Sequence, residues 1–291
     1  FPFSVALVHW FEKRRARALS CMALGLAVGG VAMPLVGWLM QNFGWQRTAL
    51  VSSIVVLVVG LPMAHVVRRN PAEMGETMDG LPREAAPEPT LGGTLPKPAP
   101  SFTAVQALRT RAFWLLGLGH GFALLVVTAV NVHAISHMKE GLGYSLAQAS
   151  FVITLMTVAQ AAGVLLGAAR GDRWNKRRAS AFCMLAHAVG LLMLAYASHP
   201  LMLGAFAVLH GVAWGLRGPF MQALRADYFG LQAIGMILGL SAIIISLGQI
   251  AGPLIAGLFA DLTGSYVGGF TLLALVAGSG SLLFMMARKP D

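Results

Sequence analysis

Charge is scarce in this sequence: Asp, Glu, Lys and Arg make up 11% of its 291 residues, where an ordinary soluble domain carries about 25%. Acidic residues are the scarcest, 11 against 21 basic ones, and Glu140, Asp172, Asp227 and Asp261 stand at the ends of apolar runs, not inside them. Cysteine is nearly absent. Cys21 and Cys183 both sit among apolar neighbours, which excludes a disulfide framework or a zinc site of the usual spacing. Catalytic signatures are missing too: there is no Gly-x-Ser-x-Gly elbow, no His-Glu-x-x-His and no phosphate loop, and Gly117-x-Gly119-x-Gly121 follows no strand. Enzymatic chemistry, a cofactor and a metal are therefore not expected. A formal net charge of +10 could suit a polyanion, but the basic residues fall between apolar runs and form no patch, so no nucleic-acid partner is expected.

What is abundant is apolar sequence, 57% of residues, with a mean hydropathy of +0.71. The expected fold class is an all-α membrane protein. Eight runs are long enough to cross a bilayer, at about 17–40, 48–67, 112–137, 146–169, 179–197, 201–223, 233–259 and 266–287. Assigning the loops between them places 18 of the 21 basic residues on one side, against Arg47 and Lys139 on the other, with Arg217 inside a run. The basic side is the expected cytoplasmic side. The stretch 68–111 is rich in Pro, Glu and Gly and reads as a cytoplasmic linker between 1–67 and 112–291. Its end, Ser101 to Leu108, suits a short amphipathic helix capped by Ser101 or Thr103.

The sequence also repeats itself. Pro2-Phe3-x-x-Ala6-Leu7, Trp10-Phe11 and Gly29-x4-Pro34-Leu35 recur as Pro219-Phe220-x-x-Ala223-Leu224, Tyr228-Phe229 and Gly248-x4-Pro253-Leu254, at an offset of 217 to 219 residues. Such repeats between two halves are how many secondary transporters are built. The opening run to His9 is too short to span and reads as the tail of a helix, so the chain is expected to be an N-terminally truncated fragment.

These features resemble the major facilitator superfamily, with twelve helices in two six-helix halves. The resemblance implies a partial fold here, from the end of the fourth helix through the twelfth. Gly167-x3-Gly171-Asp172-Arg173-x2-Lys176-Arg177-Arg178 looks like the superfamily's signature loop. Asn70-Pro71-Ala72-Glu73-Met74-Gly75 with Asp79-Gly80, Thr110 to Leu116, and Arg217-Gly218-Pro219 through Arg225-Ala226-Asp227-Tyr228-Phe229-Gly230 are similar to the bacterial monocarboxylate-transporter-like branch, which includes oxalate/formate exchangers. That implies an organic-anion carrier working by alternating access in a bacterial inner membrane. The expected partners are the lipid bilayer, a small organic anion and, where transport is proton-coupled, a proton taken up by His120 or His210. A monomer is expected.

Arg217 is the leading substrate-binding candidate, because a charge inside a span is costly and tends to face a cavity or a partner. His210, Trp214, Arg217 and Met221 follow i, i+4, i+7 and i+11 and share a face, beside a small-residue face of Gly211, Gly215 and Gly218. The resemblance adds His120, Thr128 and Asn131, Thr157 and Gln160, and Ser241 and Gln249 as cavity contacts; for each, an interhelical hydrogen bond is the competing reading. His133 and His137 have i, i+4 metal-type spacing with no third ligand, and His187 reads as packing. For the gate, Asp172 should face the start of the fifth helix beside Arg14 to Arg17, with Gly167, Gly171, Arg173 and Arg177 around it. Gly29, Pro34, Gly252 and Pro253 are candidates for helix packing. Helix 8 carries Gly163-Val164 where many relatives have Gly-Arg, leaving one cation inside the spans, which favours a monocarboxylate over a dianion. An exporter of apolar drugs, or an inactive truncated carrier, remains the alternative.

Overall fold

Inside a bilayer each backbone amide must be bonded within its own segment, so an apolar run that crosses must be helical. A computed structural model describes residues 2–81 and 101–290, and within these the side chains of all but 26–34 and 37. Among the described residues every long element is a helix: α1 (Pro2–Trp10), α2 (Arg15–Val66), α3 (Ala104–Leu108), α4 (Arg111–Ser136), α5 (Leu146–Arg170), α6 (Lys176–Ala195), α7 (Pro200–Phe229), α8 (Ile234–Thr263) and α9 (Val267–Met286). Seven segments are long and apolar enough to cross: Trp38–Val66, Arg111–Gly141, Leu146–Arg173, Lys176–Ala195, Pro200–Phe229, Ile234–Thr263 and Val267–Met286. The expected span at 17–40 lies in the first part of α2, where Gly29 and Pro34 fall outside the described side chains.

α2 is two arms joined at Gly44, whose φ of 78° and ψ of 162° are open to glycine but strained for any residue with a Cβ. The second arm returns to the side where the first began. Trp10, just before α2, donates its indole N–H to the carbonyl of Arg68, just after it, at 2.9 Å. A loop expected at about 41–47 is thus reduced to a single-glycine turn. The helix–turn–helix of α1 and α2 repeats as α7 and α8, again with four residues between them, which is the form taken by the internal repeat.

The C-terminal bundle is held by two glycine-paved crossings. Where α7 meets α5, a Cβ at Gly211 or Gly215 would overlap the carbonyl oxygens of Met156 and Gln160, and one at Gly163 would overlap that of Val212. Where α4 meets α8, a Cβ at Gly248 or Gly252 would overlap the carbonyls of Gly121 and Leu125. A Cβ at Gly117 would stand 2.9 Å from Ile244 Cδ1, and one at Gly119 2.8 Å from Phe284 Cζ on α9. The Gly117-x-Gly119-x-Gly121 run is therefore a docking face for two neighbours. Gly218 has open space where its side chain would be, so it belongs to neither crossing.

Proline inside α8 is accommodated by α4. Pro253 has no N–H to offer the carbonyl of Gln249, four residues back, and the Thr128 hydroxyl, shared with the Leu124 carbonyl at 2.8 Å, reaches that oxygen at 3.0 Å. His133 in turn donates Nε2–H to the Pro253 carbonyl at 3.0 Å, and His137 donates to Leu194 of α6 at 3.0 Å. The i, i+4 histidines therefore serve different helices.

α7 runs through Phe229, six residues past its expected end. This corrects the loop assignment of Arg225, which is only 2% exposed. Its Nε donates to Ser241 Oγ at 3.1 Å, and its terminal nitrogens donate to the carbonyls of Met221 at 3.0 Å and Leu116 at 3.4 Å and to Nδ1 of His120 at 3.4 Å. Protein acceptors replace water around the guanidinium, which is how a cation tolerates that depth. The linker rejoins the bundle at α3, where Thr103 and Gln106 form a reciprocal cap and the Phe102 N–H donates to the Phe229 carbonyl at 3.0 Å. Residues 82–100 of the expected linker lie outside the described residues.

Substituting Gly215 or Gly252 with Val should lower the melting temperature of the detergent-solubilised protein sharply, since overpacking against backbone costs about 1–3 kcal/mol or more. Gly204→Ala on α7, which meets open space, should leave stability unchanged or raise it by up to ~1 kcal/mol.

Candidate functional site

The inward face of α7 carries the most unusual side chain in the molecule. Arg217 is fully buried, and Nε and both terminal nitrogens have no hydrogen-bond partner among the described residues. A buried charge without a partner costs several kcal/mol, which marks Arg217 as the candidate for a ligand contact. None of the described carboxylates pairs with it; both ion pairs formed by described residues involve Asp227.

The other candidates divide into two groups. His210, fully buried, turns toward α6, where its Nδ1 lies 3.1 Å from Nδ1 of His187 with ring centroids 4.5 Å apart. Met221 is buried as well. Trp214 and His120 are half-buried, as are Thr157 and Gln160 on α5, while Asn131 on α4 and Gln249 on α8 are exposed. Thr128 shares its hydroxyl between the Leu124 carbonyl at 2.8 Å and that of Gln249 at 3.0 Å, Thr157 bonds that of Ile153 at 3.0 Å, and Ser241 accepts from Arg225. His120 is brought to Arg225, 3.4 Å from its guanidinium, and Trp214 and the open flank at Gly218 lie one turn or less from Arg217 along α7.

Arg225 makes two interior cations, not one. The expectation of a single cation inside the spans failed because Arg225 stands next to a run of polar residues, Arg225-Ala226-Asp227, that reads as loop. The hint available in sequence was Ser241 and His120, small polar groups at matching depth on neighbouring helices.

A second constellation lies on the basic side, at the start of α2. Asp172 accepts from the backbone N–H groups of Ala16 at 2.7 Å and Arg17 at 3.3 Å, where the helix macrodipole and free amides favour a carboxylate. Gly167 and Gly171 allow that approach: a Cβ on the first would stand 2.9 Å from Ser20 Oγ, and on the second 2.7 Å from Phe220 Cε1 and 3.2 Å from Ala16 Cβ. Asp227 bridges the same region, pairing with Arg15 at 2.5 Å and Lys176 at 3.3 Å. Arg177 instead holds the end of α9, donating to the Ala287 carbonyl at 3.3 Å, which also accepts from Tyr228 Oη at 2.9 Å. Arg173 is exposed and points away from α2 into an outer groove.

Sequence reasoning missed Asp79. From the linker, at φ 59°, its carboxylate accepts from the N–H groups of Glu12 at 3.1 Å, Lys13 at 2.8 Å and Arg14 at 3.2 Å. The turn leading into α2 is therefore gripped by two carboxylates, Asp79 from the linker and Asp172 from the C-terminal bundle.

Comparison with known proteins matches the profile of the Major Facilitator Superfamily to residues 2–136 and 116–291. Monocarboxylate transporter 13 of Bos taurus is 25% identical over 97% of the chain and 62% of its own length. The MFS transporter asaE of Aspergillus flavus is 24% identical over 99% of the chain and 61% of its own length. The Methylenomycin A resistance protein of Bacillus subtilis is 29% identical over 52% of the chain and 32% of its own length. The chain spans about three-fifths of the length of the first two of these relatives.

Replacing Asp172 with Ala removes the acceptor for two amides and should cost about 1 kcal/mol, as loss of a helix cap does. A melting curve in detergent should shift down by a few degrees, whereas Asp261→Ala at the exposed far end of α8 should leave it in place.

Proposed function

The chain belongs to the major facilitator superfamily, and from that premise we propose that it forms the larger part of a secondary transporter for a small organic anion, a monocarboxylate, working by alternating access. The observation that carries this reading is Arg217, a fully buried guanidinium with every nitrogen free among the described residues. A carboxylate fits such a group through two parallel hydrogen bonds. Trp214, three residues away on α7 and half-buried, would wall the apolar part of the acid, and the open flank at Gly218 gives it room.

The second cation does not turn the site toward dianions. Arg225 already donates to Ser241, Met221, Leu116 and His120, so its contribution is field. Arg217 has all of its donors left, enough for one carboxylate. Relatives named as monocarboxylate transporters support the same substrate class. Asn131, Gln160 and Gln249 complete the cavity wall in this reading, and His120, touching Arg225, is the group through which proton binding would be linked to anion binding.

On this reading 1–67 is the end of the first half, 68–111 the linker and 112–291 the second half. The basic side faces the cytoplasm by the distribution of Lys and Arg. The contacts of Asp172, Asp227 and Asp79 with the start of α2 then describe a gate closed on that side, and opening requires them to part. The carrier works as a monomer.

The test is uptake of labelled lactate, pyruvate and oxalate by the full-length protein in liposomes, with and without a proton gradient. Arg217→Gln should reduce monocarboxylate uptake by about 10- to 100-fold, the worth of charge-assisted hydrogen bonds, with Arg217→Lys intermediate and oxalate a poor substrate throughout. Uptake indifferent to Arg217, or absent for every acid while an apolar drug is exported, would overturn the proposal.

A further inference from the structure

Five basic residues lie within Arg170 to Arg178, and the structure gives them different tasks. Lys176 pairs with Asp227 and Arg177 with the Ala287 carbonyl. Arg173 and Arg178 are exposed and pair with no carboxylate among the described residues. Both line one end of a cavity of about 590 Å³ between α6 and α7. Asn175 lies beside them, and away from that end the wall is apolar, including Ala186, Val208 and Val212. From Arg178 to Ala186 it runs eight residues along α6, about 12 Å. Trp174 stands at the charged end, the depth at which indole rings favour a membrane interface. Phe182, 70% exposed, forms the outer lip.

A groove that is apolar along its length and doubly cationic at its interfacial end matches one class of molecule. Soluble anions have no use for the apolar channel, and an uncharged lipid has no use for the arginines. We propose that this groove holds an anionic phospholipid, with its headgroup phosphate on Arg173 and Arg178 and an acyl chain lying between α6 and α7. Basic pockets between membrane helices on the cytoplasmic side are suited to acidic headgroups. Arg173 directly follows Asp172, so the lipid and the contact with α2 share the short turn Gly171–Arg173. The residues that line this groove are not among those assigned to the substrate, although Ala213 in its wall lies one turn before Arg217.

The experiment is native mass spectrometry of the intact protein released from detergent, titrated with dioleoyl phosphatidylglycerol or dioleoyl phosphatidylcholine. With two arginines, each worth about fivefold toward an acidic lipid, phosphatidylglycerol should bind about thirtyfold more tightly. Arg178→Gln should lose about fivefold of that preference, and Arg178→Lys should keep it. Val208→Trp, which fills the channel, should abolish binding of the lipid; Phe182→Ala, at an exposed position where folding is not at stake, should weaken it. Equal retention of the two lipids would overturn the proposal, as would binding that survives both Val208→Trp and Phe182→Ala. Displacement of the lipid by glycerol phosphate at matched concentration would also contradict it, since the arginines would then be a surface site for free phosphate.

Discussion

Everything in the C-terminal bundle depends on how closely its backbones approach. At the α5/α7 and α4/α8 crossings a single Cβ would overlap a carbonyl oxygen of the facing helix. Lipid tails supply no hydrophobic drive for helices to associate, so contact between backbones and a few interhelical hydrogen bonds must do it. The glycines allow the first, and Thr128 and His133, bonded to the Gln249 and Pro253 carbonyls of α8, supply the second. Docking by glycine on one flank also leaves the other side of α7 free to carry large polar groups. That is why one helix can pack tightly on α5 and still present Trp214, Arg217 and Arg225 inward.

The two interior arginines differ in what surrounds them, and the difference assigns their work. Arg225 is enclosed by acceptors from α4, α7 and α8 and ties those helices together. Arg217, eight residues earlier, has none among the described residues. Its donors are already desolvated, so a ligand that supplies two acceptors meets a cation that gives up no water to bind it. At the basic side the logic is different. Asp227 is about one-third exposed, and contacts of that kind are each worth about 1 kcal/mol or less. In the proposed gate, several such contacts would close firmly as a set and open at a cost that ligand binding can supply.

Much of this was legible in sequence. Apolar length placed seven of the eight expected spans among the segments long enough to cross, and the resemblance of Gly167, Gly171 and Asp172 to the superfamily's loop implied a carboxylate facing the start of α2. What escaped reading has physical reasons. Arg225 looked like a loop residue because a one-dimensional charge pattern has no knowledge of acceptors on other helices. Asp79 looked like part of a linker motif because its three donors lie more than sixty residues upstream. The single-residue turn at Gly44 was hidden because a glycine with positive φ is indistinguishable in sequence from the many glycines inside spans. His210 was read with Arg217, whose face it shares, and periodicity could not reveal that a second histidine on α6 would meet it.

The central claim is that Arg217 is the receptor for a carboxylate. The most direct measurement is a structure of the full-length protein crystallised with 2-bromopropionate, located by the anomalous signal of its bromine. The account predicts the carboxylate on the Arg217 guanidinium with the bromine against Trp214. A bromine peak elsewhere in the bundle, or an Arg217 still without a partner while the acid is bound, would contradict it.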